Sequence, residues 1–430
     1  MRSTAPNAQR EADRERRVIR QIYWGAFATR AIAGILAYVA TEYLGMRILE
    51  DALYYEDMGY YVASEWLSGS SLSLTDMLGF HGSFGAVLIV LIAILYYVME
   101  GVRAVPILLL VYSAITAFVP VYTYRLAREL GLSPSGAKAA AWLIALSPGF
   151  AFWSGALHKE GLTLLILSVM TYHVLRLQSR WRIRSFVLVA ASILALWGLR
   201  YYLAVLMAAV VTLGLLWGNR NPAKTGGTLG ALAFARHAVV AAGFVALMFG
   251  VGFVERSESM LVEDERGILL QLDRTRQWGA TAADSGYLPD IRITTPAEAA
   301  EYFPVGFLYF LFVPFPWAFG SIRQNAAIPE TLFWAAVYPL VAVGIIRGLR
   351  MNRAGTLVLL GASVGMCVFY ALLSGNVGTA YRMRSQVWLL WAPFAAWGWE
   401  VWQERRRRLS AAATRAKNPQ RPVPARPMAR

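Results

Sequence analysis

Charge is scarce in this 430-residue chain: only 16% of residues are Asp, Glu, Lys or Arg, where a soluble chain carries roughly a quarter. Cysteine is nearly absent. The single Cys367 excludes an intrachain disulfide and a cysteine-rich zinc site. Histidine appears four times. Low charge excludes a disordered protein, and it excludes an ordinary soluble enzyme. What is present in excess is apolar: 57% hydrophobic residues with 15 Trp, 21 Tyr and 20 Phe, and a mean hydropathy of +0.46. The chain reads as an all-α polytopic membrane protein. The formal charge of +15 is the one discordant number. It fits nucleic acid or a membrane orientation signal, and the placement of the charges decides.

A helix needs about 20 mainly apolar residues to cross a bilayer. Ten candidates run over 22–42, 104–123, 137–153, 161–177, 185–199, 201–217, 229–254, 329–347, 354–373 and 385–402. Two more apolar stretches, 84–99 and 305–319, read as re-entrant or interfacial helices. Pro314 and Pro316 break the second. No alternating strand pattern points to a β-barrel.

Basic residues sort the ends. The first 20 residues hold six Arg against three acids, and 403–430 holds eight Arg and Lys417 against Glu404. Arg176, Arg180, Arg182 and Arg184 fill one connection, and Arg347, Arg350 and Arg353 another. Segments around Arg125, Arg128 and Lys138, and around Arg220 and Lys224, are also basic. Loops 43–83 and 255–304 are net acidic. The expectation is a basic segment 1–21, a membrane domain 22–402 and a disordered basic tail 403–430. Both termini are then cytoplasmic and both acidic loops outside. The first apolar run reads as an uncleaved anchor. The charge is an orientation signal, and no nucleic-acid partner is expected.

That topology gathers the unusual polar residues on the outer face, at a membrane–water boundary suited to a lipid-linked substrate. In the first loop Asp57 stands one turn from Tyr60 and Tyr61, a carboxylate beside aromatics that can serve as general base toward a hydroxyl. The alternative is a solvated acidic loop with an aromatic belt. His158, Lys159 and Glu160 stand at the start of a span. Glu160 can hold a metal or orient an acceptor, Lys159 and His158 can meet phosphate, and all three can simply cap the helix. Arg200 and Tyr202 lie between two apolar runs. There a near-membrane Arg is either functional or a snorkelling bend. Arg382 and Arg384 sit outside against the charge rule. Arg binds phosphate in bidentate fashion, and Asn376, Gly378 and Thr379 upstream can add backbone N–H groups. The alternative for the pair is an ion pair with acids of 43–83 or 255–304. The late loop reads as a cover whose Arg274, Arg276 and Arg292 can help with a head group. His81 lies near the end of the first loop. His173 and His237 read as packing or intrahelical hydrogen-bonding residues, and Arg30 and Arg236 as paired or snorkelling.

Three places resemble bacterial membrane glycosyltransferases of the GT-C superfamily, which includes protein O-mannosyltransferase-like and lipid A aminoarabinose transferase-like enzymes. They are Asp57, Tyr61, Ala63, Leu67 and Gly69; Arg125 to Gly131 with Ser147-Pro148, Trp153-Ser154 and Glu160; and Asn376, Gly378, Thr379, Arg382 and Arg384. The resemblance spans about 25–402. It implies a GT-C-like fold in a bacterial inner membrane and a polyprenyl-phosphate-linked sugar donor. It also implies an extracytoplasmic site and a glycan, lipid or protein acceptor in envelope synthesis. It makes Asp57 the base and Glu160 the second acid, although the family more often has Asp there. The 28-residue basic tail stands where many such enzymes have a soluble domain, so the acceptor is expected on the outer loops and spans. Arg382, Arg384, Arg200 and Lys159 then face the donor phosphate, with Tyr60, Tyr61, His158, Asn376 and Tyr202 in support. The expected reaction is a single displacement at the anomeric carbon. Asp51, Glu56, Asp57 and Glu160 can supply oxygen ligands to a divalent cation, though no spacing demands one. The competing readings are an O-antigen-type polymerase or ligase dependent on Arg274, Arg276 or Arg292, and a non-enzymatic envelope-polymer transporter or assembly factor.

Overall fold

The computed structural model describes residues 5–46, 48–70, 85–217, 227–250 and 267–417. Asp76, His81, Arg220, Lys224, the stretch 251–266 and the tail beyond 417 lie outside the described residues, as do the side chains of Arg236 and His237. The described chain is helical, with no strand. First come α1 (Ala5–Glu42), α2 (Glu50–Leu67), α3 (Ala86–Val98), α4 (Val105–Thr116) and α5 (Phe118–Leu130). Next are α6 (Pro134–Leu146), α7 (Pro148–Gly155), α8 (Lys159–Ser179), α9 (Ile183–Trp197), α10 (Tyr201–Trp217) and α11 (Gly227–Gly250). The chain closes with α12 (Gly267–Ala282), α13 (Pro296–Phe312), α14 (Ile322–Met351), α15 (Arg353–Leu373) and α16 (Val377–Lys417).

Five helical segments are long and apolar enough to cross a bilayer: Gln9–Glu42, Val105–Leu130, Lys159–Ser179, Ile322–Met351 and Arg353–Leu373. They coincide with five of the expected spans, and the chain is an all-helical, multi-pass membrane protein. Expected spans 185–199 and 201–217 fall on shorter apolar helices, 229–254 falls on α11 as far as Gly250, and 385–402 lies inside α16. The stretch 84–99 becomes the 13-residue α3. Such a helix rises about 20 Å, short of the ~30 Å hydrocarbon core. The stretch 305–319 is helical only to Phe312 and then leaves the helix at a cis Val313–Pro314 bond.

One expected span is two helices. The run 137–153 breaks between α6 and α7, where Ser147 takes extended backbone (ψ 123°) and Pro148 starts the next helix. The residue before proline disfavours the α region, while proline itself suits a helix's first turn. Similarly, Ala117 separates α4 from α5. Pro120 has no N–H for the Thr116 carbonyl one turn back.

α16 is the hub. From Val387 to Trp397 the residues are almost wholly buried, the pattern of a helix covered on every side. α14 and α15 pack on it, as do α6 and α8. α1 approaches α7 so closely that a Cβ on Gly34 would strike the Gly155 carbonyl, and one on Gly155 the Arg30 carbonyl. That embrace encloses Arg30 completely. Its Nη1 donates to the Ala26 carbonyl at 3.2 Å, while Nε and Nη2 have no partner. The expectation of a paired or snorkelling Arg30 is therefore corrected: the close helix contact leaves it neither an acid nor a path to water. His173 Nδ1 lies 3.0 Å from Ser185 Oγ on α9, so its hydrogen bond joins two helices rather than staying within one.

A second apolar cluster sets the site. Leu49, Tyr55 and Val62 of the α2 region pack with α3 and α4, and with Ala156, Leu157, Leu162 and Leu199. This lays α2 against the loop that leads into α8 and against the turn before α10.

Candidate active site

Glu160 is the centre of the site. It lies in the first turn of α8 and is 1% exposed. The Arg200 guanidinium, on the turn between α9 and α10, donates to its Oε1. Arg382 Nε, in the first turns of α16, lies 3.3 Å from the same oxygen. Three distant parts of the chain thus meet on one carboxylate. Burial alone costs an ion several kcal/mol, so a buried Glu is tolerable only with such partners. Burial opposes the charge on Arg200, but Tyr202 and Glu160 outweigh it and hold the guanidinium above its usual range. Tyr202 completes that corner by accepting from Arg200 through its hydroxyl.

α2 adds a second carboxylate. Asp51 Oδ2 accepts from Arg382 Nη1 at 2.6 Å. Tyr55 stands one turn later on the same helical face. Its phenol is pushed up to about 12 by burial, then by Glu160 and Asp51. Arg382 therefore bridges Asp51 and Glu160, and its guanidinium carbon lies 6.0 Å over the Trp153 ring. The ion-pair alternative for Arg382 is thus realised, with an acid of loop 43–83.

Donors outnumber acceptors here. His158 is 3% exposed and packs 5.0 Å from Trp153 and 5.6 Å from Phe152, centroid to centroid. Neither of its ring nitrogens has a hydrogen-bond partner, nor do Trp153 Nε1 and Arg200 Nε. Burial, with Arg382 adding to it and Glu160 opposing, pushes the His158 imidazole down to about 4. At neutral pH it is an uncharged ring. Its carbonyl is held by the buried Tyr112 hydroxyl, which also accepts from Leu162 N at 3.2 Å. Lys159 lies in the same field as Arg200, Glu160 and Arg382. Two guanidinium groups with N–H groups to spare meet here on neighbouring carboxylates, an arrangement suited to receive an anion.

The structure separates the other expected residues from this cluster. Asp57 is on a different face of α2, bound by Arg103 together with Glu56. Arg103 Nε also donates to Glu56 at 2.9 Å, Tyr96 donates to the same acid, and the guanidinium lies 5.1 Å over Tyr60. Glu56 raises the Arg103 guanidinium above its usual range. This group clamps α2 onto α3. Tyr61 is exposed. Arg384 is two residues from Arg382 and turns the opposite way. It is fully buried and reaches the Val313 carbonyl, with Thr331 Oγ1 3.4 Å away. Asn376 caps α16 by accepting from Thr379 N at 2.8 Å, which occupies one of the backbone donors expected to face the anion. Among the described residues no three His, Cys, Asp or Glu gather as a metal-holding group.

Sequence reasoning named Asp51 only as a possible cation ligand, gave Tyr55 no role, and named Trp153 only within the resemblance. The signal for the first two was their four-residue spacing.

The late loop is fastened beside the site. Tyr287 N donates to the Gly375 carbonyl at 2.9 Å and Val377 N to Ser285 at 3.0 Å. Within the loop, buried Arg276 caps the Leu288 and Ile291 carbonyls, and Arg292 pairs with buried Asp273.

No family model matches the chain, and no curated protein does. One solved structure with a likeness to it is the apo crystal structure of the Archaeoglobus fulgidus oligosaccharyltransferase. It shares 13% identity at a TM-score of 0.48 and covers 94% of this chain and 53% of that one. The chain thus spans about half the length of that enzyme. A likeness of that degree assigns neither a reaction nor a substrate.

Proposed function

We propose that the protein is a membrane glycosyltransferase that moves a sugar from a polyprenyl-phosphate donor to a hydroxyl acceptor in envelope glycan, glycolipid or glycoprotein synthesis, on the outer face of a bacterial inner membrane. The observation that carries this reading is the convergence of two guanidinium groups, Arg200 and Arg382, on buried Glu160. Arg200 and Arg382, with Lys159, face a phosphate, and Glu160 fixes the two guanidinium groups in place. An apolar cavity of about 370 Å³ between α10 and α15 supports a lipid tail. Tyr202 forms part of its wall, with Leu206, Met366 and Phe369, and the same Tyr202 hydroxyl is bonded to Arg200.

The acceptor oxygen attacks the anomeric carbon while the bond from that carbon to the phosphate oxygen breaks. The lipid phosphate leaves with the electron pair and is stabilised by Arg200 and Arg382. The acceptor proton passes to a carboxylate. Asp51 is the acid that shares Arg382 with Glu160, so the proton is assigned to Asp51, and Asp57 serves as the comparison. Electrostatic help from one well-placed donor is worth about 3–4 kcal/mol. Arg276 and Arg292, on which a polymerase or ligase reading leaned, hold loop carbonyls and Asp273 instead, which favours the transferase.

Mass spectrometry of membrane lipids tests the reading. Cells without the protein, or with only Asp51→Asn or Arg382→Ala, accumulate a polyprenyl-phosphate sugar. An unchanged lipid-phosphate sugar pool in all three strains would defeat it. Accumulation with Asp57→Asn but not Asp51→Asn moves the base to Asp57.

A further inference from the structure

A second buried carboxylate, Glu330, lies outside the reaction described above. It sits on α14, is 6% exposed, and accepts three hydrogen bonds. The donors are the Ser147 hydroxyl, the Gly149 N–H at 2.8 Å and the Tyr381 hydroxyl. Ser147 and Gly149 begin α7, while Tyr381 precedes Arg382 on α16. A Cβ on Gly149 would come within 2.6 Å of Glu330 Oε2 and 2.7 Å of the Tyr381 hydroxyl, so only glycine admits this approach. The Tyr381 ring stands 6.5 Å from Trp153 and 6.0 Å from the Arg384 guanidinium. Arg384 in turn reaches Thr331, the neighbour of Glu330.

We infer that Glu330 is a positioning residue that locks α7 to the head of α16 and so sets Arg382 against Trp153 and Glu160. This rests on the reading of that cluster as a lipid-phosphate site. The two arms of the cluster hang from the joined elements: α7 leads directly into His158, Lys159 and Glu160, and α16 carries Arg382. A carboxylate suits the joint because all three neighbours are donors. A glutamine amide offers one acceptor oxygen and turns its NH₂ toward a donor.

The test uses the full-length protein in detergent with Cys367→Ala. Spin labels at Leu146→Cys, the last residue of α6 and the neighbour of Ser147, and at Gly378→Cys, both at exposed positions, read the distance between the start of α7 and the head of α16. Decaprenyl phosphate affinity is measured by native mass spectrometry. Glu330→Gln broadens the distance distribution and weakens decaprenyl phosphate about tenfold or more, the scale of a lost buried bond to a charged group. Tyr381→Phe removes one donor only and shows the same trend, so the inference stays testable if the first variant misfolds. A narrow, unchanged distribution in the folded variants overturns the joint. So does a drop in melting temperature with unchanged affinity where the unvaried protein binds. If the unvaried protein binds no lipid phosphate yet the distribution broadens, the joint stands and the lipid-phosphate reading falls.

Discussion

Glu160 concentrates the energetics of the site in one residue, since two arginines depend on it. Glu160→Gln leaves the buried Arg200 without a counter-charge, and breaking a buried pair from one side costs about 3–5 kcal/mol. Thermal melting of purified protein should show a large drop. Arg382 is more accessible and its loss is expected to appear in catalysis. Arg382→Ala should lower turnover by about 10²–10³, the range for removing one transition-state donor, with melting affected less than in Glu160→Gln. Transfer assays against the accumulated donor lipid check this. His158 gives the pH dependence. Its folded value of about 4 lies below its ordinary value of 6.5, so the unfolded chain binds the extra proton. The stability contributed by the neutral ring is complete above pH 6.5 and is lost as pH falls from there through 4. Melting curves from pH 7 to pH 4 should fall more steeply for the unvaried protein than for His158→Gln.

Helix contacts decide which of these side chains meet. The α1–α7 crossing is a backbone approach made by Gly34 and Gly155. Gly155→Val places a branched side chain against the Arg30 carbonyl, and overpacking of this sort costs about 1–3 kcal/mol or more. Its readout is a lowered melting temperature and faster proteolysis. Much at this scale was legible. Long apolar runs gave five spans because hydropathy over about 20 residues is a local property. The caps at Thr295 and Ser321, each bonded reciprocally with a residue three positions on, are local as well. The break at Ser147-Pro148 was also written in the sequence, but apolar continuity over 137–153 masked it. The facing of α2 was less accessible. Asp57 and Asp51 are both acids in one amphipathic segment, and only the packing of Tyr55 and Val62 tells which turns toward Glu160.

At the scale of the whole molecule, composition determines the class, and long-range contacts determine the site. Arg382 and Asp51 are separated by 331 positions, Glu330 and Ser147 by 183. No window along the chain reports such pairs. Arg382 stood out in the sequence because the expected topology set it against the charge rule, and the structure pairs it with two carboxylates. Arg384, set against the same rule by the expected topology, instead makes a buried bond to the Val313 carbonyl. On the proposed function, the buried cluster of Arg200, Arg382 and Glu160 receives a lipid phosphate. The most direct test is native mass spectrometry of the purified protein with decaprenyl phosphate and with decaprenol, which has the tail without the charge. The expected result is retention of the phosphate, little retention of the alcohol, and loss of phosphate binding in Arg382→Ala. Equal retention of both lipids, or undiminished phosphate binding in Arg382→Ala, would contradict it.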